Sequence, residues 1–317
     1  MIVVSDVNKY YGARAAVRDV SFSIQQGEVV GLLGLNGAGK TTTLKMLSGV
    51  LLPSAGRIEI DGCDLASDPE AVRSRIGFLP ETPPVYAEMT VDDYLRFVAH
   101  IKGLKSGIPE AIQRTLEATD LLDVRHRPIG ALSSGYQRRV GIAQAVVHSP
   151  KLILLDEPTS GLDPVQIVHM RKLIKGLGQD HTVLVSSHIL GEIGQLCDRI
   201  LVLQDGQLVA EGTDRELAQQ VTAGTSVQLE ISGERERIIE VLDAAEFVRS
   251  ANILNETDGA FTLAVELEQD ARESLAKLVV NSGFGLRRME RVRMELENIF
   301  LELTGHGTER SDQTEAA

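Results

Sequence analysis

The run Gly34-Leu35-Asn36-Gly37-Ala38-Gly39-Lys40-Thr41-Thr42 fits G-x-x-x-x-G-K-[ST], the pattern of a phosphate-binding loop. Its flanks supply the setting that pattern needs. Glu28-Val29-Val30-Gly31-Leu32-Leu33 is short, apolar and β-branched, which predicts a buried strand. Thr42-Thr43-Leu44-Lys45-Met46-Leu47 continues as a helix. Gly34, Gly37 and Gly39 free the backbone to curl, so that the loop's N–H groups, those of Leu35, Asn36 and Ala38 included, point inward onto phosphate oxygens. The new helix, opening through Thr41 and Thr42, adds its positive end. Lys40 is placed to reach the β- and γ-phosphates and the Thr41 hydroxyl to ligate Mg²⁺. The competing reading is a glycine-rich turn before an ordinary helix. The complete pattern in this setting favours a nucleoside triphosphate site.

A chain of 317 residues exceeds one typical domain and suits two, and 43% hydrophobic residues suffice for a real core. No uninterrupted apolar run approaches the length of a bilayer-spanning helix. Met1-Ile2-Val3-Val4-Ser5-Asp6 lacks the basic start and apolar middle of a secretory signal. Cys63 and Cys197 are too few for a disulfide framework and suit a reducing compartment. Asp and Glu number 45 against 32 Lys and Arg, a net charge of −13, which counts against a broad grip on nucleic acid. With no Trp there are also few stacking platforms for single strands. The expectation is a cytoplasmic protein without a nucleic-acid partner, reaching a membrane only through other chains.

Short strands are predicted at 2–7 and 20–24, around a turn at Tyr11-Gly12. Tyr11 is either a platform for a purine ring or a strand-end aromatic packed on the core. Arg57 to Ile60 reads as a strand turning at Asp61-Gly62, and Ile76 to Leu79 as a buried strand ended by Pro80. The prolines of Glu81-Thr82-Pro83-Pro84-Val85-Tyr86 exclude regular structure there. From Thr90 the period becomes helical, with Thr90 a candidate N-cap and Asp93 three residues on. Further helices at about 110–120 and 134–147 complete a helical insert of roughly 88–148. Strands then return at Leu152 to Leu155 and Thr182 to Ser186, separated by a helix of 164–177, and 199–212 forms a hairpin around Asp205-Gly206. Continuous apolar strands alternating with helices predict a mainly parallel α/β sheet covered on both faces. After about residue 221 the order becomes β-α-β-β-α-β plus a last helix to Thr304, which suggests a small ferredoxin-like α+β module over 222–304. Residues 305–317 are polar and expected to be disordered.

Four more stretches stand at informative places: Leu132-Ser133-Ser134-Gly135-Tyr136-Gln137, Leu155-Asp156-Glu157-Pro158 at a strand end, Ser160-Gly161-Leu162-Asp163 directly after it, and Ser187-His188 ending the next strand. Together with the phosphate-binding loop they closely resemble the ATP-binding subunit of an ABC transporter, over residues 2 to about 220. The resemblance implies a P-loop NTPase fold with a helical subdomain, ATP and Mg²⁺ as ligands, and ATP hydrolysis. It implies that Asp156 holds the metal through its water shell, that Glu157 is the general base for the attacking water, and that His188 donates to the γ-phosphate. It also implies that Tyr11 stacks on adenine. Ser133 and Gly135 match the signature that completes the site of an opposite subunit, and Asp163 the loop joining the two sites. Hydrolysis then requires a second ATP-binding subunit, with a homodimer expected.

The chain departs from the family at three places. Ser134 stands where glycine is usual, Tyr136 where glutamine is usual, and Glu81 at the loop position usually held by glutamine. Glu81 could still meet Mg²⁺ or water, but adds negative charge beside the triphosphate. These departures and the C-terminal module resemble bacterial exporter ATPases that pair with separate membrane permeases, the gliding-motility and drug-efflux group. The implied location is the inner face of the cell membrane, held there by the permease. The alternatives are a soluble ABC-type ATPase acting on ribosomes or DNA, whose relatives carry paired domains or long coiled coils absent here, and an importer ATPase.

Overall fold

β1 (Ile2–Tyr11) and β2 (Arg14–Ile24) form a long antiparallel hairpin in the computed structural model, which describes residues 1–213, 216–217, 225–257 and 260–291. The predicted strands at 2–7 and 20–24 are therefore the ends of two longer ones. The alternation between them is broken by bulges, with Asp6 and Asp19 at positive φ and the Asn8 amide bonded to the Asp19 carboxylate at 2.8 Å. β3 (Val29–Leu33) is wholly buried and feeds the loop before α1 (Lys40–Leu47). β4 (Ala55–Ile60) turns into the two-residue β5 (Cys63–Asp64) and joins β1 in a sheet of order β2-β1-β4-β5. This separate antiparallel sheet is a feature that local periodicity did not announce.

α2 (Pro69–Ser74) is a short helix that the sequence reading passed over, capped by the Asp68 carboxylate and opened by a proline. β6 (Ile76–Leu79) follows, then the irregular 81–86 segment. α3 (Val91–Ile101) starts at Thr90, whose side chain accepts from the Asp93 N–H while its hydroxyl donates to the Asp93 carboxylate at 2.6 Å. α4 (Ile108–Ala118) and α5 (Ser134–Val146) complete the helical insert, which has its own apolar core around Tyr94, Leu95, Ile112 and Val140.

β7 (Leu152–Asp156), α6 (Pro164–Leu177), β8 (Thr182–Ser187), the unforeseen α7 (Leu190–Leu196), and the hairpin of β9 (Arg199–Gln204) and β10 (Gln207–Gly212) finish the first part of the chain. The main sheet runs β10-β9-β3-β8-β7-β6, parallel from β9 to β6 and antiparallel only at β10. β3, β7 and β8 are buried along their whole lengths, as expected of strands covered on both faces. Their carboxyl ends carry the phosphate-binding loop, Asp156-Glu157 and Ser187-His188, so the sheet gathers three distant motifs on one edge.

The chain divides into two units, Met1–Asp214 and Arg215–Ala317. The second contains β11 (Thr225–Ser232), α8 (Arg235–Asp243), β12 (Val248–Thr257), β13 (Ala260–Leu267), α9 (Arg272–Asn281) and β14 (Gly285–Arg291). Its sheet order, β12-β13-β11-β14 with every neighbouring pair antiparallel, is the split arrangement of a ferredoxin-like module. Leu229, Ile238, Leu263 and Leu275 lie at the centre of its core. The expected domain boundary at 221/222, the last helix to Thr304 and the tail 305–317 lie outside the described residues.

Candidate functional site

The loop between β3 and α1 closes on itself. Gly39 takes φ 106°, and a Cβ there would lie 2.8 Å from the Ala16 carbonyl oxygen. Only glycine fits both demands. No side chain caps α1, so the polar N–H groups of its first turn are left for a ligand. The loop borders a cavity of ≈ 900 Å³, of the size that takes a nucleotide, lined also by Tyr11, Glu81, Glu157 and His188. Asn36, Gly37, Gly39, Lys40, Thr41 and Thr42 face it directly. Gly34, Leu35 and Ala38 shape the loop from behind: the carbonyls of Gly34 and Leu35 accept from Lys40 Nζ at 2.7 and 3.3 Å, and the Ala38 N–H donates to Leu35.

At the end of β7 the two carboxylates part company. Asp156 is 0% exposed; one oxygen accepts the Ser186 hydroxyl at 2.7 Å and the other has no hydrogen-bond partner. Glu157, 7% exposed, turns the chain at φ 48°, a left-handed conformation uncommon for a long side chain. Its N–H donates to Ser186 Oγ at 2.9 Å. One carboxylate oxygen meets Lys40 Nζ at 3.3 Å, and the other accepts from His188 Nδ1 at 2.9 Å. A carboxylate is thus held between a lysine and a histidine at the cavity wall, with a second carboxylate behind it.

An orphaned, fully buried carboxylate oxygen asks for a cation. It and the Thr41 hydroxyl are hard oxygen donors, the chemistry that suits Mg²⁺ completed by water and phosphate. Among the described residues no group of three or more His, Cys, Asp or Glu side chains could hold a metal alone.

Ser133, Gly135 and Asp163 are not brought to this cavity. Ser133 caps α5, and a Cβ on Gly135 would meet the Gln166 amide 2.9 Å away; both line a separate small cavity of ≈ 150 Å³. Asp163 caps α6 by accepting from the Gln166 N–H at 2.9 Å.

Sequence reasoning missed Ser186, whose hydroxyl links Asp156 and Glu157. The available clue was register: the parallel ladder pairs Asp156 with Ser186, a polar pair closing two apolar strands. It also missed Arg138 and, on the cavity wall, the basic pair Arg14 and Arg18. Nothing in their local sequence marks them.

A family model described as "ABC transporter" matches residues 17–160. The bacitracin transport ATP-binding protein BcrA of Bacillus licheniformis is 34% identical over 97% of this chain and 98% of its own length. The Nod factor export ATP-binding protein I of Burkholderia orbicola is 35% identical over 95% of each chain. Among solved structures, an ATP-binding subunit of an ABC transporter aligns with TM-score 0.63 and 33% identity, covering 69% of this chain and 92% of that one. A bacterial ABC transporter cassette solved as a dimer aligns with TM-score 0.62 and 28% identity, over 67% and 98%. With the phosphate-binding loop, the paired carboxylates and the histidine on one sheet edge, and full-length relatives of this similarity, the chain belongs to the ATP-binding subunits of ABC transporters.

Proposed function

We propose that the chain hydrolyses Mg²⁺-bound ATP in a head-to-tail pair of such subunits, and that this cycle drives export through a separate membrane permease. The observation that carries the reading is Glu157, a buried carboxylate at the cavity wall between Lys40 and His188. In-line attack on a γ-phosphate needs a water deprotonated at one point and charge neutralised around it. Glu157 accepts the water's proton. Lys40 exchanges its bonds to the Gly34 and Leu35 carbonyls for phosphate oxygens. His188 donates a ring N–H to a γ-phosphate oxygen. Tyr11, 51% exposed on the cavity rim, offers its face to adenine. Thr41, and Asp156 through water, would hold Mg²⁺, which would supply Lewis-acid polarisation of the phosphate oxygens.

The signature residues explain the pairing. Ser133 and Gly135 belong to a cavity of their own, so they serve a nucleotide only across an interface. The dimeric relative supports that arrangement. The exposed aromatics Tyr86 and Phe97, stacked edge to face at 5.7 Å beside the 81–86 loop, give a permease an apolar foothold. No helix among the described residues is long and apolar enough to cross a membrane; in this reading the partner supplies the cargo path and holds the chain on the membrane's inner face. A relative named for Nod factor export favours the outward direction.

The test is Glu157→Gln. Loss of the base lowers kcat by about 100-fold or more while ATP still binds. The trapped ATP-bound dimer, tagged and extracted in detergent, retains a polytopic membrane protein identified by mass spectrometry. Hydrolysis within about threefold of the parent removes Glu157 as base. Recovery of ribosomal or DNA-repair partners with no membrane protein overturns the transport reading.

A further inference from the structure

Arg138 is a buried cation that none of the roles above uses. It lies on α5, 9% exposed, five residues after the capping Ser133. Its guanidinium forks between two loops: Nη1 donates to the Glu81 carbonyl and Nη2 to the Ser160 carbonyl at 2.8 Å. Those loops follow β6 and β7, and both residues line the nucleotide cavity. One side chain therefore ties three segments together: the loop that leads to the exposed aromatics, the turn that follows Glu157, and the helix that begins at the signature serine.

A neutral amide could make such carbonyl bonds, so the charge needs its own reason. Burial lowers the Arg138 pKa, and the fields of Glu81, Asp156 and Glu157 act in the opposite direction. Three carboxylates share one region with the expected triphosphate, and Lys40, a cation on the same cavity wall, is engaged by Glu157. Glu81 is the one carboxylate of the three exposed on the cavity wall.

We propose that Arg138 is a positioning residue for the nucleotide site: its charge offsets that of Glu81 beside the triphosphate, and its planar fork fixes the Glu81 and Ser160 loops against α5. The proposal rests on the reading of this cavity as an ATPase site. It splits into two effects that substitutions separate, because lysine keeps the charge and loses the fork, whereas glutamine loses the charge.

The experiment uses the full chain and measures ATP affinity in the presence of Mg²⁺ alongside steady-state hydrolysis. Arg138→Lys is expected to bind ATP within about threefold of the parent and to lose about tenfold in kcat, the mark of misplaced groups rather than lost attraction. Arg138→Gln is expected to weaken ATP binding by about tenfold. Adding Glu81→Gln to it restores affinity to within about threefold, because the charge that needed offsetting is gone. A merely structural arginine gives a different pattern: both glutamine combinations bind equally poorly, and lysine behaves like glutamine. That pattern overturns the proposal. If Arg138→Gln does not fold, Arg138→Lys decides: unchanged kcat overturns the fork, and lowered kcat with intact binding supports it. A parent protein that binds no ATP fails at the reading beneath and takes the proposal with it, an outcome distinct from a parent that binds while the variants match it.

Discussion

Gly39 and Gly135 stand in the two halves of the expected ATP sandwich, and an added methyl group meets different matter at each. At Gly39 the backbone is at φ 106° and the new carbon would lie 2.8 Å from the Ala16 carbonyl oxygen, a backbone atom with no freedom to yield. Gly39→Ala is expected to cost about 2 kcal/mol or more in urea denaturation and to reduce ATP affinity, since the loop must open to relieve the contact. At Gly135 the 2.9 Å neighbour is the end of the Gln166 side chain, which can rotate away. Gly135→Ala should therefore cost less than about 1 kcal/mol of stability. Its effect appears in hydrolysis, because the methyl group intrudes where a second subunit's nucleotide is expected. Equal destabilisation by the two substitutions would remove the distinction between a conformational and a recognition glycine.

The ends of α3 and α5 converge on β6 through one carbonyl. His148 Nε2 and Lys102 Nζ each lie 3.1 Å from the Ile76 oxygen. Burial, the Lys102 charge and nearby His181 push the His148 pKa from 6.5 down to about 4, against the Ile76 bond, which raises it. The folded imidazole resists protonation more than the unfolded one, so between those two values the unfolded state binds more protons. Stability from this group is present above 6.5 and is lost as pH falls toward 4. The loss from pH 7 to 5 should be about 2 kcal/mol. His148→Gln, which keeps a donor for the carbonyl but does not titrate, should flatten that part of the stability curve. An unchanged slope would assign the acid sensitivity elsewhere. A capped helix end was legible in sequence at Thr90, which opens α3 through a local hydrogen bond. α2 and α7 are too short for a period to show, and the β1–β2 hairpin was hidden by bulges at Asp6 and Asp19.

The parallel sheet and the motif-bearing edge could be read from sequence because each strand announces itself by local apolar character. The pairing of β1 with β4 could not, since it joins residues more than fifty apart, such as Ile2 and Ile60, by contacts with no local signature. Ser186 and Arg138 were invisible for the same reason: their partners are brought to them by the fold. At the largest scale the apolar cores divide between the units, those of the sheets and of the helical insert in the first and that around Leu229 and Leu263 in the second. Calorimetry is therefore expected to show more than one transition rather than a single two-state unfolding. Saturating ATP with Mg²⁺ binds only the first unit, and at about 100 times Kd it adds about 2.7 kcal/mol there, so one transition moves upward and the other stays. Leu229, 0% exposed in the second unit's core, gives the reciprocal perturbation. Leu229→Ala should cost about 2–5 kcal/mol and lower only the transition that ATP leaves unmoved. Movement of both transitions in either experiment would mean that the two units melt as one cooperative body, and the accessory module would then contribute directly to the stability of the ATP site.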